Sequence, residues 1–117
     1  VVPHAEALAR EVGLDPAALH VAAGNLPPQS QMRIHVARAL ALGPRLLIAE
    51  HASATLPRDS VGGFGADLAR LARARGLGLL ALTADDELAK AIGGQRLQLV
   101  PATGDLRPIG FLKKLFS

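Results

Sequence analysis

The chain has 117 residues, half of them hydrophobic and a fifth charged, which is the balance of one small folded domain. It contains no cysteine, which excludes disulfides, thiolate metal sites and a catalytic thiol, and its longest apolar run, about Leu77 to Leu82, is far shorter than the roughly 20 residues that span a bilayer. The net charge is only +3 and there is no Trp or Tyr for base stacking, so the composition disfavours nucleic acid as a partner.

The first residues do not look like a targeting signal. Val1-Val2-Pro3 has no initiating Met, no basic segment and no long apolar segment after it. We therefore expect the chain to be a piece of a longer protein.

The first 42 residues predict short helices. Apolar residues at helical spacing place them at about 4–12, 16–21 and 29–42. Asp15 and Pro16 suit the N-cap and first position of the second helix. The third helix follows Pro27-Pro28, and we predict Asn25 as its cap. Its expected buried face comprises Met32, Val36, Ala39 and Leu40, with Arg33 outside that face.

From residue 43 onward, the pattern alternates between strands and helices. Buried strands are predicted at 45–49, 77–82 and 97–100, helices at 59–75 and 85–92, and a last strand near 106–109 before a basic tail at Lys113-Lys114. This alternation predicts an α/β fold with a parallel sheet and right-handed crossovers. We therefore divide the chain into a helical subdomain, residues 1–42, and an α/β part, residues 43–117.

The carboxyl ends of the first two strands are where a site is expected, because ligands of open α/β sheets bind at that edge. Those ends read Ala49-Glu50-His51 and Thr83-Ala84-Asp85. Glu50 could activate a water molecule, whereas Asp85 suits the N-cap of the next helix. His51 has no second metal ligand at a useful spacing.

The stretch MRIHVARALALGPRLLI, Met32 to Ile48, resembles the signature helix and Walker B strand of ABC transporter ATPase domains. The resemblance continues in order through a D-loop at Ser53–Pro57, a switch strand and the closing strands. It implies the C-terminal half of a P-loop NTPase-like (RecA-like) core preceded by the helical subdomain, with Walker A and the Q-loop upstream. ATP and Mg²⁺ would then be bound only through that upstream half, with no cofactor held within this segment. The implied partners are a membrane transporter subunit or a second ATPase domain, on the cytoplasmic side of a membrane.

Most family positions that contact ATP carry other residues here. The signature LSGGQ corresponds to Leu26 followed by Pro27, Pro28, Gln29 and Ser30, and each proline removes a backbone donor. Glu50 falls on the position of the catalytic glutamate. Three other family residues are replaced: the Walker B aspartate by Ala49, the D-loop aspartate by Leu56 and the switch histidine by Ala84.

These losses affect both sites of the head-to-tail pair that the family forms. We therefore predict a degenerate ABC-type ATP-binding domain fragment, a structural or regulatory partner in a transporter-related complex, with hydrolysis absent or very slow. One alternative is a working ATPase subunit that uses Glu50. Another is a small basic module that binds nucleic acid through Arg70, Arg73 and Arg75, although a solvated helix face explains these arginines better.

A glycine-rich segment, Gly62-Gly63-Phe64-Gly65, hints at a dinucleotide-binding loop. It lacks the third glycine of that motif, and Phe64 falls on the predicted buried stripe of its helix. We therefore interpret the segment as part of a packed helix.

Overall fold

The computed structural model describes residues 2–108 of the chain. Val1 and residues 109–117 lie outside the described residues, and with them the predicted strand end at Ile109 and the basic tail at Lys113-Lys114. The elements in order are α1 (Val2–Glu11), two 3-10 turns (Pro16–His20 and Ala23–Asn25), α2 (Pro28–Leu40), β1 (Leu46–Glu50), α3 (Arg58–Arg75), β2 (Gly78–Leu82), α4 (Asp86–Ile92), β3 (Leu97–Val100) and β4 (Asp105–Pro108). Within residues 2–108, no helix combines the length and apolarity needed to cross a membrane.

The caps of the helical part differ in one place from those predicted. Asp15 accepts a hydrogen bond from the Ala17 N–H at 3.0 Å, which confirms it as a cap, although the turn that follows is a 3-10 helix. The N-cap of α2 is Pro27, without a side-chain hydrogen bond, so the predicted Asn25 cap is wrong. Asn25 instead ends the preceding 3-10 turn, and Leu26 and Pro27 separate it from the helix.

Arg33 on α2 is the second correction, because its side chain is buried among three elements. Only 12% of that side chain is exposed. Its Nη1 donates to the Val12 carbonyl at 2.8 Å and to Asp67 of α3 at 2.7 Å, and its guanidinium lies 5.6 Å from the centre of the Phe64 ring. The long apolar stem of arginine lets it enter such a place while its charge stays paired. Arg33 therefore attaches the helical part to α3.

The parallel sheet has two strands, fewer than predicted. β1 and β2 pair in parallel from Leu46 opposite Gly78 to Glu50 opposite Leu82. β3 pairs instead with β4 in a separate antiparallel hairpin. Because only residues 101–104 join these two strands, a parallel crossover between them is excluded. The chain therefore has a mixed α/β fold with a small parallel sheet.

One face of this sheet packs against helices and the other does not. The core beneath it contains Leu47 of β1, Leu88 of α4, and Val61, Phe64 and Leu68 of α3. On the opposite face, which we call the open sheet face, Leu46, Ile48, Leu80 and Leu82 are 53%, 57%, 48% and 46% exposed. Because strand side chains alternate between faces, the predicted burial of β1 and β2 is correct for one face and wrong for the other.

Candidate functional site

An open cleft lies at the carboxyl ends of β1 and β2, where the sequence predicted a site. Its volume is about 750 Å³. Two segments line it. The first is the loop after β1 with the first residue of α3 (His51, Ser53, Ala54, Leu56 and Arg58), and the second is the chain from Thr83 through Glu87 together with Lys90. The cleft therefore joins the predicted D-loop to the start of α4.

Asp85 is the centre of a polar network along this cleft. Arg58 donates from Nη1 and Nη2 to its two carboxylate oxygens at 2.8 and 2.9 Å, and the Ser53 hydroxyl donates to it at 2.6 Å. Asp85 also accepts from the backbone N–H groups of Glu87 and Leu88, which confirms its prediction as the N-cap of α4. Arg58 bonds Glu87 as well, at 2.6 Å.

This network moves the pKa values of Asp85 and Arg58 away from their ordinary values. Hydrogen bonds from Arg58 first, and from Ser53 second, hold the pKa of Asp85 far below its usual range. The same contact with Asp85, followed by that with Glu87, raises the pKa of Arg58 above its ordinary value. The Nη1 and Nη2 atoms of Arg58 thus bind two carboxylates of its own chain.

Glu50 and His51 are adjacent in sequence but occupy different places. Glu50 is exposed and ends β1 opposite Leu82, so strand alternation places it on the open sheet face with Ile48. It is not among the described residues that line the cleft. His51, for which the sequence suggested no role, does line it. His51 has a left-handed backbone conformation, with a φ of 50°. Nothing in the sequence indicates such a conformation here, so sequence reasoning could not place this side chain at the cleft.

Two of the predicted motif positions near the strand ends, Ala49 and Leu56, pack against the core. Ala49 is partly buried against the core under the sheet. Leu56, at the position predicted to correspond to the D-loop aspartate, is 6% exposed and belongs to the same core, so it anchors the loop after β1. Ala84 is exposed and presents only a methyl group to the cleft.

The segment predicted to correspond to the signature lies apart from these strand ends. Pro27 and Pro28 begin α2 as N-cap and first residue, and Gln29 follows on an exposed position with Ser30 partly buried. None of the four lines the described cleft. The Gln31 side chain donates to the Leu26 carbonyl at 3.0 Å, which ties the segment to its own helix.

The glycine-rich segment lies inside α3 and forms no loop. Phe64 is 1% exposed, as its place on the buried stripe predicted. A Cβ placed on Gly65 would come within 2.7 Å of the Ala91 Cβ, so this glycine lets α3 and α4 approach closely. The segment therefore positions α4 and does not offer backbone donors to a phosphate.

The arginines at the end of α3 are mostly engaged with carboxylates. Arg75 donates to Glu11 of α1 at 2.8 Å and to the Leu40 carbonyl, and Arg70 bonds Asp67. This pairing supports a solvated, ion-paired helix face. Within residues 2–108, no cluster of three or more side chains is suited to hold a metal ion.

Sequence comparison with known proteins finds similarity to an ATP-binding protein. Over 84 residues the chain is 38% identical to the lipoprotein-releasing system ATP-binding protein LolD of Anaeromyxobacter dehalogenans (strain 2CP-C). The match covers 72% of this chain and 35% of that protein, so the chain spans about a third of the relative's length. No known family model matches the chain. The similarity supports an ABC-type ATPase domain, as the resemblance of the signature helix and Walker B strand predicted.

Proposed function

We propose that the chain is a degenerate ABC-type ATP-binding module with a structural or regulatory role in a transporter-related complex, and that it hydrolyses ATP very slowly or not at all. The observation that carries this proposal is the internal pairing at the strand-end cleft. Arg58 and Asp85 bind each other there, and Ala84 offers no polar group. A cleft that turns over ATP needs groups that are free to stabilise charge on the phosphoryl group in the transition state.

Without the metal-orienting carboxylate and the switch histidine, the rate of ATP hydrolysis should be lower by orders of magnitude. Removing one donor that stabilises transition-state charge costs about 3 kcal/mol in well-studied enzymes. Losing both the metal-orienting carboxylate at Ala49 and the switch residue at Ala84 would then cost about 6 kcal/mol, or roughly 10⁴-fold in rate. The place of Glu50 on the open sheet face adds to this expectation, because a base must be within reach of the water it activates.

The open sheet face supports a role within a larger assembly. Parallel sheets occur almost only with both faces covered, whereas Leu46, Ile48, Leu80 and Leu82 are about half exposed here. We propose that further α/β structure, an upstream half with the Walker A loop, covers this face and brings ATP and Mg²⁺. The relative is named as part of a lipoprotein-releasing system. A membrane transporter subunit or a second ATPase domain is the corresponding partner for this chain, on the cytoplasmic side of a membrane.

The test is steady-state ATP turnover of the protein with Mg²⁺, alone and with its purified partner. We expect background turnover for the unmodified protein and for Glu50→Gln alike. Glu6→Gln, which changes an exposed pair on α1 far from the cleft in sequence, is the matched control. Turnover well above background that is lost in Glu50→Gln and kept in Glu6→Gln would replace the proposal with a working ATPase.

A further inference from the structure

The turn between α2 and β1 exposes a large apolar side chain. Leu42 is 87% exposed, more than any other large hydrophobic residue in the described part of the chain. The turn is ordered, because the Leu42 N–H donates to the Ala39 carbonyl at 3.2 Å and the Gly43 N–H donates to the Leu40 carbonyl at 3.0 Å. Gly43 then has a φ of 63°, which favours glycine. Leu42 therefore protrudes from a fixed turn.

Two exposed arginines flank Leu42 in the chain. Arg38 lies four residues before it, which is about one helical turn, and Arg45 lies three residues after it. Within residues 2–108, neither arginine side chain forms a hydrogen bond or an ion pair. Both guanidinium groups are therefore free to bind a partner beside the leucine.

The last turn of α3 adds a third arginine at the same end of the molecule. Arg73 is exposed there, and among the described residues its guanidinium likewise has no partner. Two hydrogen bonds join this end of α3 to the turn after α2. Arg75 donates from Nη1 to the Leu40 carbonyl at 3.2 Å, and the Gly78 N–H donates to the Arg45 carbonyl at 2.8 Å.

We call Leu42 with Arg38, Arg45 and Arg73 the arginine tip. It lies at the amino ends of the two parallel strands, whereas the cleft lies at their carboxyl ends. Glu11 of α1 also reaches this end, but Arg75 binds it at 2.8 Å. The arginine tip therefore combines three unpaired positive charges with one protruding apolar side chain.

We propose that the arginine tip binds an anionic phospholipid surface. Guanidinium groups pair well with lipid phosphates, and positively charged residues are attracted to an anionic leaflet. The Leu42 side chain would enter the apolar layer beneath the headgroups, and a fluid bilayer needs no shaped pocket to accept it. A nucleic acid would engage the arginines but leave this leucine in water, so the protruding leucine favours lipid. The proposal is independent of ATP and of the proposed function.

The experiment measures cosedimentation of the 117-residue chain with sucrose-loaded vesicles. One set contains phosphatidylglycerol and phosphatidylcholine in equal parts, and the other contains phosphatidylcholine alone. We expect reversible binding to the anionic set at low ionic strength, weaker binding as salt is added, and no binding to the neutral set.

Three variants separate the arginine tip from net charge. Leu42→Ser should weaken binding to anionic vesicles about tenfold, because it removes the inserted apolar side chain. Arg45→Gln should weaken it about fivefold. Arg96→Gln removes the same charge beside Asp86, at the start of α4, and should change binding by less than about twofold. Circular dichroism checks that each variant is folded.

Several results would overturn the proposal. They are absent binding to anionic vesicles at low salt, unchanged binding of Leu42→Ser, and equal effects of Arg96→Gln and Arg45→Gln. A variant with Lys113→Gln and Lys114→Gln tests the basic tail, and loss of binding there with normal binding of Leu42→Ser would assign the lipid contact to that tail instead. Tighter binding to a DNA duplex than to vesicles, unaffected by Leu42→Ser, would make nucleic acid the ligand. The ATP turnover assay tests the proposed function separately.

Discussion

Replacing Gly65 by alanine tests how closely α3 and α4 must approach to hold the wall of the cleft. An alanine Cβ at this position would lie 2.7 Å from the Ala91 Cβ and 3.3 Å from the Leu88 carbonyl oxygen. Two carbon atoms at their favoured separation are about 3.5–4.0 Å apart, so α4 would have to move outward by roughly 1 Å. Overpacking of this kind costs about 1–3 kcal/mol.

Gly65→Ala also stabilises the helix backbone, and this stabilisation is subtracted from the cost of overpacking. Alanine stabilises a helix interior by about 0.5–1 kcal/mol relative to glycine. Gly63 lies two residues away on α3 with no atom within 4 Å of its added Cβ, so Gly63→Ala isolates that gain. We expect Gly63→Ala to stabilise the fold by about 0.5–1 kcal/mol and Gly65→Ala to destabilise it by up to about 2.5 kcal/mol, the cost of overpacking less the gain in the helix.

Urea unfolding followed by far-UV circular dichroism measures both free energies, since the chain has no Trp or Tyr for fluorescence. The opposite signs of the two changes are the expected result. If Gly65→Ala stabilised the protein as much as Gly63→Ala does, α4 would not be held against α3, and the described wall of the cleft would be wrong.

Three further substitutions address the other contacts. Arg33→Ala should destabilise the fold by about 2–4 kcal/mol, because it removes a charged donor whose side chain is only 12% exposed. Arg38 is exposed on the same helix, and Arg38→Ala should change the free energy of unfolding in urea by less than about 0.5 kcal/mol. Equal effects of the two substitutions would contradict the described contacts of Arg33. The pKa of the Asp85 carboxyl is lower in the folded state than in the unfolded chain, because Arg58 and Ser53 donate hydrogen bonds to it. The carboxylate therefore stabilises the fold at a pH above the ordinary pKa of aspartate, and this stabilisation is lost as the pH falls below that pKa. The free energy of unfolding of Asp85→Asn should therefore depend less steeply on pH below about pH 4, the ordinary pKa range of aspartate, than that of the unmodified protein. An equal pH dependence of the two proteins would refute the assigned network. Ile48→Ala on the open sheet face should cost clearly less stability than Leu47→Ala in the core, and a cost as large would show that the face is covered in the chain itself.

The helices and strands were predictable because their signals are local. Asp85 could be predicted as an N-cap because aspartate is a favoured residue just before a helix. The buried stripe containing Phe64 could be predicted from the helical spacing of its apolar residues. The strand partners could not, since β3 and β4 satisfy each other across a short turn while the pattern of β3 is equally compatible with a parallel neighbour. Hydrophobic periodicity predicts that a segment is a strand, but it does not indicate which strand pairs with it.

The site was predictable in place but not in detail. Residues at the ends of β1 and β2 do line one cleft, as sheet topology requires. Which of Glu50 and His51 faces it depends on a single left-handed residue, and histidine at a positive φ has no reliable sequence signal. Arg33 was misplaced for a related reason: helical spacing alone assigns a charged residue to the surface, whereas its burial depends on a carboxylate 34 residues away in sequence.

The internal pairing at the cleft stabilises the strand ends without a bound ligand. In a site that depends on nucleotide, polar groups remain unpaired until the ligand arrives, and they weaken the free protein. Here Asp85 binds Arg58, Ser53 and the start of α4, and within residues 2–108 no buried side-chain nitrogen or oxygen lacks a hydrogen-bond partner. The loop after β1 is thus held to α4 whether or not ATP is present. A ligand can then gain affinity only from groups that the network leaves free.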